Sequence, residues 1–277
     1  MTMKFATPFT LLHAASLLSH RRRIAKFAIA IERLVKPDDY VMDIGSGSGI
    51  FAILAAKRGA RVTAIEINEN SLKYAQKAAD LNGVKDKIEF VSSNVLEYLT
   101  NELADVIICE MLSSMMLIEQ QVPASSHAVE NLLKPSGAII PESVKIFAVP
   151  VQNEILWDRF NVQELIFPRV PQTTERGQYV DLADLAEVAS FNLMVPNRNQ
   201  IVDKTLSFTI LEDGTVHGLV GMFECRLCEG IILNMEDGWK ELFIPLDESV
   251  RVRKGDSLNM RLFYRPGEID SLNLELL

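Results

Sequence analysis

Cysteine is scarce in this sequence, with three residues among 277, namely Cys109, Cys225 and Cys228. An odd number of cysteines in a chain without a secretion signal argues against a disulfide framework. Cys225 and Cys228 form a single CxxC, and a structural zinc site would need two further ligands at a fitting spacing. We therefore expect two ordinary strand cysteines and no metal site.

Long apolar runs are also lacking. Charged residues interrupt the longest apolar stretches before they reach the roughly 18 residues that a membrane-spanning helix needs. The fairly apolar segment Phe5–Leu18 contains Pro8 and His13 and is followed by Arg21–Arg23, which reverses the charge order of a signal peptide. The sequence thus predicts a cytoplasmic protein that does not insert into a membrane.

Positive charge is in deficit, because 28 Lys and Arg stand against 37 Asp and Glu and give a net charge of −9. Nonspecific binding to nucleic acids and to anionic membranes depends on clustered Lys and Arg. The Arg21–Arg23 triplet is the one local cluster, and so short a run is typical of a solvated helix face. We expect no nucleic-acid or membrane partner, and basic partners fit the charge better.

The first half of the chain alternates between strand and helix patterns. After a leading helical segment over residues 1–38, apolar runs typical of strands alternate with segments of helical spacing that end at glycine or proline. The predicted strands are Tyr40–Ile44, Val62–Ile65, Ile88–Val91, Asp105–Cys109 and Ala138–Ile140, and the predicted helices are Ile24–Leu34, Ile50–Arg58, Asn70–Leu81 and Met115–Leu133. Such an alternation predicts an α/β fold with a Rossmann-like parallel sheet that helices cover on both faces.

The pattern changes after about residue 150. From Thr205 onward, alternating β-branched and aromatic segments predict a mainly antiparallel sheet, with Leu206–Leu211 and Val216–Phe223 joined as a hairpin. The stretch Gln152–Asn199 is open to three interpretations, namely a linker, an arm or an oligomer contact. We predict two domains, an α/β domain over residues 1–150 and a β-rich domain for substrate binding or oligomerisation over residues 151–277.

A glycine-rich motif, Asp43-Ile44-Gly45-Ser46-Gly47-Ser48-Gly49, lies where the first predicted strand gives way to a helix. Glycines at such a turn let the backbone approach a ligand at the helix N-terminus. Glu66 ends the second strand 23 residues after Asp43, near the spacing of roughly 20 residues at which an acidic side chain binds a ribose diol. The candidate contacts to an adenosine-type cofactor are Gly45, Ser46, Gly47, Gly49 and Glu66.

Two cofactors compete for this motif. The nicotinamide-dinucleotide fingerprint needs a glycine one place after Gly49, where this chain has Ile50. The Asp43 carboxylate would repel a pyrophosphate, whereas it could lie near the ammonium and sulfonium charges of S-adenosylmethionine. Both features favour S-adenosylmethionine, with Asp43 as a further contact. Asn94 and Val95, which follow the third strand, are candidate contacts to adenine.

Two carboxylates, Glu110 and Glu119, follow the fourth predicted strand. The segment from Glu110 to Glu119 reads EMLSSMMLIE and resembles the double-Glu loop of the protein arginine methyltransferases. Leu133–Pro141 is similar to that family's LKPGGxxxP passage, and Val216–Val220 and Asp237–Lys240 look like landmarks of its β-barrel domain. Together with the glycine-rich motif, the resemblance covers about half of the chain well.

The resemblance implies an S-adenosylmethionine-dependent N-methyltransferase that releases S-adenosylhomocysteine and methylates a protein arginine. Glu110 and Glu119 would hold the guanidinium of the acceptor and draw positive charge away from its reacting nitrogen. By the same similarity, Arg22 would pair with the carboxylate of the cofactor, and its neighbour Arg21 aligns almost as well. The family usually dimerises through an arm inserted in its β domain, which makes a homodimer a further expectation, with Trp157–Phe191 as the candidate arm.

Several features of the family's arginine pocket are missing. No tyrosine pair occurs in Met1–His13, where the family's aromatic lid would lie, and Gly238 stands where its Thr-His-Trp loop has a histidine. Met111 and Ser114 occupy aromatic positions of the double-Glu loop. These departures affect the prediction of the methyl acceptor more than the prediction of a methyltransferase. The alternatives are a methyltransferase of the same fold that acts on a small molecule or another protein side chain, and a catalytically inactive cofactor-binding scaffold.

Overall fold

Five parallel strands form one sheet of the protein in a computed structural model that describes residues 10–197 and 200–277. The strands are β1 (Tyr40–Ile44), β2 (Arg61–Glu66), β3 (Ile88–Ser92), β4 (Ala104–Cys109) and β5 (Leu133–Ile140). They are ordered β3-β2-β1-β4-β5, which confirms the predicted Rossmann-like sheet. The order reverses between β1 and β4, and open α/β sheets bind ligands beyond the carboxyl ends of their strands at such a point.

Helices cover both faces of this sheet. They are α1 (Leu11–Ser16), α2 (Arg21–Leu34), α3 (Ile50–Lys57), α4 (Glu69–Leu81) and α5 (Gln121–Asn131). Successive residues of a strand point to opposite faces. Val41 shares a buried cluster with Phe27 of α2, while Met42 shares another with Ala124 of α5. Of the segment Met1–His13, with its missing tyrosine pair, residues 1–9 lie outside the described residues.

The rest of the chain is mainly antiparallel, as predicted. Its elements are β6 (Ser143–Gln152), α6 (Glu154–Asp158), β7 (Asn161–Val162), β8 (Leu165–Ile166), β9 (Gln172–Thr174), β10 (Val180–Asp181), β11 (Ala186–Asn192), β12 (Val202–Thr209), β13 (Gly214–Cys228), β14 (Ile231–Asn234), β15 (Glu241–Val252), β16 (Ser257–Arg265) and β17 (Glu268–Leu276). One sheet is ordered β10-β6-β13-β15-β9, with β11 on β6 and β14 on β13, and another is ordered β12-β16-β17. Since β6 begins at Ser143, antiparallel pairing starts before the predicted boundary at residue 150.

The predicted hairpin between Leu206–Leu211 and Val216–Phe223 is wrong. β12 pairs with β16, whereas β13 pairs with β6 and β15, so the two segments lie in different sheets. Ile210 is buried, and its amide donates to the carbonyl of Asp256 at 2.9 Å. This long-range contact fixes the segment through which the chain passes from one sheet to the other. Local turn residues do not reveal that the chain changes sheets there.

Three strands of the segment Gln152–Asn199 belong to the antiparallel sheet, because β9 pairs with β15 and both β10 and β11 pair with β6. The segment also contains the unit of α6 and the hairpin β7–β8, which we call the arm. The arm exposes apolar side chains, including Ile155 at 85% and Ile166 at 80%. Exposed apolar groups of this kind suit an oligomer contact better than a linker.

No helix within residues 10–197 and 200–277 combines the length and the apolar character that crossing a bilayer requires.

Candidate active site

A cavity of about 440 Å³ opens where the chain leaves β1 and β4. It therefore lies at the point where the strand order reverses, as expected for a ligand site in this kind of sheet. Most of the predicted site residues line it, namely Gly45, Ser46, Gly47, Glu66, Asn94, Val95, Glu110 and Glu119. Arg22, Asp43 and Gly49 are not among the lining residues.

Backbone hydrogen bonds hold the turn after β1 against the neighbouring strand. The amides of Gly45 and Ser46 donate to the carbonyl of Ile65 at 2.9 and 3.0 Å. The Oε2 atom of Glu66 accepts from the Gly47 amide at 2.9 Å, and its Oε1 accepts from the Asn68 amide at 2.7 Å. Each carboxylate oxygen has a further lone pair, so Glu66 can brace the turn and still accept hydrogen bonds from two hydroxyls.

Asp43 and Gly49 lie behind the turn. The Oδ2 atom of Asp43 accepts from the Ala52 amide of α3 at 2.9 Å. Burial raises the pKa of Asp43 to about 7, against the effect of this hydrogen bond and with a smaller contribution from neighbouring carboxylates. Gly49 has a φ of +76°, and a Cβ atom there would lie 2.7 Å from the Cβ of Ala75. The structure thus places both residues where they support the turn from inside the fold.

Asn94 and Val95 line the cavity beyond the end of β3. The Oδ1 atom of Asn94 accepts from the Leu96 amide at 3.1 Å, which is an Asx turn that fixes the loop. Val95 is buried, so its side chain offers an apolar wall. A flat heterocycle could pack against such a wall while polar groups of the loop contact its edge.

The predicted helix Met115–Leu133 is wrong in its first part, because α5 begins at Gln121. Met115 and Met116 have φ angles of 60° and 54°, a left-handed conformation that residues with side chains rarely adopt. The hydroxyl of Tyr264 in β16 donates to the carbonyl of Met115 at 3.0 Å. A contact from a distant strand therefore stabilises a turn that helix composition does not predict.

This turn brings Glu119 into the cavity that Glu110 also lines. The hydroxyl oxygen of Ser113 accepts from the amides of Ile118 and Glu119 at 3.1 Å each. Desolvation raises the pKa of Glu119 well above its usual range, and the charge of Glu110 adds to the increase while Arg23 opposes it. Desolvation also raises the pKa of Glu110, again against Arg23. Two carboxylates withdrawn from bulk water with one positive neighbour favour the binding of a second cation.

Arg23 occupies the place that the resemblance implies for Arg22. Arg23 precedes Phe27 by four residues and so lies on the buried face of α2, whereas Arg22 is exposed. The Nη1 atom of Arg23 lies 3.0 Å from Oε2 of Glu110. The guanidinium carbon of Arg23 also lies 5.8 Å from the ring centroid of Trp239. The structure therefore brings Arg23 to the cavity and leaves Arg22 on the helix surface.

Several lining residues carry no sequence pattern that would have selected them. They are His13, His20, Gln120 and Thr173, and Trp239 and Lys240 of the landmark Asp237–Lys240 line the cavity as well. The indole N–H of Trp239 donates to the carbonyl of Leu112 at 2.8 Å, and the hydroxyl of Ser114 donates to the carbonyl of Lys240. These bonds join the loop before β15 to the double-Glu loop. Only the resemblance of Asp237–Lys240 to a family landmark pointed to this contact.

Three further residues with reactive or polar side chains do not line the cavity. His217 is buried, and its Nδ1 accepts from the Asn153 amide at 3.2 Å. Cys225 and Cys228 are buried free thiols in β13. Within the described ranges, no group of three or more His, Cys, Asp or Glu residues is arranged to hold a metal ion.

Comparison with known proteins adds independent findings. A family model described as ribosomal protein L11 methyltransferase (PrmA) matches residues 27–144. An uncharacterised protein of Methanocaldococcus jannaschii is 41% identical over 272 residues, which cover 94% of this chain and 95% of that protein. The arginine N(omega)-methyltransferase of Streptomyces achromogenes subsp. streptozoticus is 27% identical over 89% of this chain and 74% of that protein.

The fold is also shared with solved structures. A chain of the Trypanosoma brucei PRMT1 enzyme-prozyme heterotetrameric complex with AdoHcy matches with a TM-score of 0.80 and 23% identity, over 94% of this chain and 91% of that chain. The likeness includes both the parallel and the antiparallel sheets, since nearly the whole chain is covered. These likenesses support a divergent, S-adenosylmethionine-dependent class I methyltransferase that is similar to the protein arginine methyltransferases.

Proposed function

We propose that this protein transfers a methyl group from S-adenosylmethionine to a guanidinium nitrogen of arginine in a protein. The observation that carries the proposal is that Glu110 and Glu119 line the same cavity as the glycine-rich turn and Glu66. The part of the cavity beside the glycine-rich turn and Glu66 suits a nucleoside, and the part beside Glu110 and Glu119 suits a cation. A basic protein of the cytoplasm is the acceptor that we favour, because the chain has a net charge of −9.

In this proposal the cofactor lies along the turn after β1. Glu66 accepts hydrogen bonds from the ribose hydroxyls, while the backbone at Gly45–Gly47 passes beside the methionine part. Asn94 and Val95 contact the adenine. Arg23, whose Nε atom is buried without a partner in the described part of the chain, pairs with the carboxylate of the cofactor.

The two carboxylates can make a guanidinium, which is a poor nucleophile, more reactive. Its positive charge is delocalised over three nitrogens, so none of them readily donates an electron pair. Glu110 and Glu119 bind N–H groups of the acceptor and draw the positive charge toward two of the nitrogens. Because desolvation raises the pKa of Glu119, its ionised form gains strongly from a bound cation.

The reaction is then a direct displacement. Bound S-adenosylmethionine would supply a methyl group on a positively charged sulfur, and Glu110 and Glu119 would present the remaining nitrogen to that carbon. The carbon–nitrogen bond would form as the carbon–sulfur bond breaks and leaves its electron pair on sulfur. The products are S-adenosylhomocysteine and a methylated guanidinium that releases one proton. Positioning of the two reactants contributes most of the acceleration.

Transfer of radiolabel from S-adenosylmethionine to an arginine-rich peptide tests this function. We expect acid hydrolysis and amino-acid analysis to place the label on methylated arginine. Glu110→Gln and Glu119→Gln keep the side-chain shape and remove the charge, so each should lower kcat about 100-fold or more. Glu187→Gln is the matched control, because Glu187 is exposed in β11 and pairs with a surface lysine. Label on any other residue type would contradict the proposal.

Free arginine is a second candidate acceptor. The observation that favours it is the similarity to the Streptomyces protein, which is named for arginine itself. The same assay with free L-arginine in place of the peptide separates the two, because the label then stays in the acid-soluble fraction. Label in small molecules alone would reject the protein version and keep the guanidinium chemistry.

We also propose that the protein forms a homodimer through its arm. Ile155 and Ile166 are exposed there by 85% and 80%, and burying them against a second copy would remove apolar surface from water. Sedimentation analysis should show a dimer for the unmodified protein and a monomer for Ile166→Asp. A protein that is monomeric at all concentrations tested would reject this part of the proposal.

A further inference from the structure

His20 offers an unused imidazole to the cavity. It is half-buried, immediately precedes α2 and lines the cavity together with Glu119. Its Nδ1 atom is buried and has no hydrogen-bond partner in the described ranges. No hydrogen bond between Nε2 and any residue of those ranges occurs either. A polar ring in a cavity wall with neither nitrogen satisfied calls for an explanation, and a ligand is one.

The loop before β15 leaves space for the imidazole ring of His20 beside Gly238. Gly238 has a φ of +135°, and a Cβ atom there would lie 2.6 Å from Nδ1 of His20. Any side chain at position 238 would therefore occupy the space of the imidazole. In the resembled family this loop carries a histidine, and here a histidine from the start of α2 packs against a glycine at that position.

The surroundings of His20 favour the neutral form of its ring. Desolvation lowers the pKa of His20 below its usual value, and the positive charges of Arg23 and His13 lower it further. A neutral imidazole has one nitrogen that accepts a proton. Glu110 is already paired with Arg23, so its carboxylate is less available as a base.

We propose that His20 contacts the acceptor nitrogen and takes up the proton released on methylation. This rests on the proposed function. As the carbon–nitrogen bond forms and the carbon–sulfur bond breaks, the acceptor becomes doubly charged, and one proton passes from its nitrogen to the free ring nitrogen of His20. The imidazolium then returns the proton to water, so the proton released by the reaction does not remain on either carboxylate.

Substitution with chemical rescue tests the role. His20→Gln should lower kcat about 100-fold, the usual contribution of a general base, while the affinity for S-adenosylhomocysteine stays within about two-fold by calorimetry. Added imidazole should restore turnover to His20→Gly, and more basic imidazoles should restore it more. Gly238→Ala should also lower kcat, since the new methyl group displaces the ring. His127→Gln is the control, because His127 binds the Tyr98 carbonyl and does not line the cavity.

Two results would overturn the proposal, namely a His20→Gln variant that keeps wild-type turnover and a His20→Gly variant that imidazole does not restore. If the wild-type protein methylates no arginine at all, the proposed function fails instead. A binding measurement then still tests whether His20 contacts the acceptor. The ring resonances of His20 in the S-adenosylhomocysteine complex should shift when L-arginine is added, whereas those of His127 should not. Unshifted His20 resonances would contradict the contact.

Discussion

Arg23 and Glu110 form an ion pair inside the cavity, with Nη1 of the arginine 3.0 Å from Oε2 of the glutamate and side-chain exposures of 4% and 9%. The Nε atom of Arg23 is buried and has no partner among the residues described. One guanidinium thus neutralises one of the two carboxylates and keeps a donor for an anion. Glu119 has no such partner in the described ranges, and desolvation raises its pKa, so its ionised form depends on an incoming cation.

Replacing Arg23 should damage both stability and cofactor binding. Arg23→Gln leaves Glu110 as an uncompensated charge, so the free energy of unfolding should fall by about 3 kcal/mol. The affinity for S-adenosylhomocysteine, measured by calorimetry, should fall about 10-fold or more because its carboxylate loses a charged partner. Arg22→Gln is the matched control, since Arg22 is exposed and should change stability by less than about 0.5 kcal/mol. Equal effects of the two substitutions would contradict the placement.

Close packing at Gly49 predicts that Gly49→Ala lowers the free energy of unfolding by more than backbone strain alone would. Gly49 and Gly83 have similar φ angles of +76° and +70°, yet a Cβ atom at Gly49 would lie 2.7 Å from the Cβ of Ala75 while one at Gly83 meets nothing within 4 Å. Gly83→Ala should therefore cost about 1 kcal/mol in the free energy of unfolding. Gly49→Ala should cost a further 1–3 kcal/mol, approximately the range for overpacking. Urea unfolding measures both, and equal losses would show that the packing is looser than described.

The raised pKa of Asp43 predicts a specific pH dependence of stability. The pKa is about 7 in the folded protein against an ordinary value of 3.8, so between these values the folded state binds more protons than the unfolded state. Stability must then fall as the pH rises through this window, by up to about 1.4 kcal/mol per pH unit, and stay low above pH 7.

Asp43→Asn should remove that dependence, because an amide oxygen can still accept from the Ala52 amide and does not titrate. The difference in unfolding free energy between Asp43→Asn and the wild type should grow in favour of the variant from about pH 4 to about pH 7. Glu110 and Glu119 are present in both proteins, so their titration cancels in this comparison. A difference that is independent of pH would contradict the buried, protonated state of Asp43.

The α/β half was predictable because its signals are local. Strand runs, helical spacing and glycine stops predicted β1 to β4 and three of the helices nearly to the residue, and the spacing of Asp43 and Glu66 located the cavity. Arg23 could have been preferred to Arg22 from the same helical period, since it stands four residues before the buried Phe27. The resemblance alone pointed to Arg22, with Arg21 as its alternative, and not to Arg23.

The failures arose where distant contacts override local preference. Met115 lies in a left-handed turn because Tyr264, 149 residues further along, binds its carbonyl. The β12 and β13 segments look like a hairpin, yet each pairs with strands elsewhere. His20 lines the cavity and packs against Gly238, a contact that no spacing in the sequence encodes.

A crystal structure with S-adenosylhomocysteine and an arginine peptide tests the central claim most directly. The account predicts the nucleoside along the Gly45–Gly47 turn with its ribose on Glu66, and a guanidinium nitrogen within about 3.2 Å of a Glu119 carboxylate oxygen in the same cavity. A nucleoside bound elsewhere, or an arginine that leaves Glu110 and Glu119 without a contact, would contradict it.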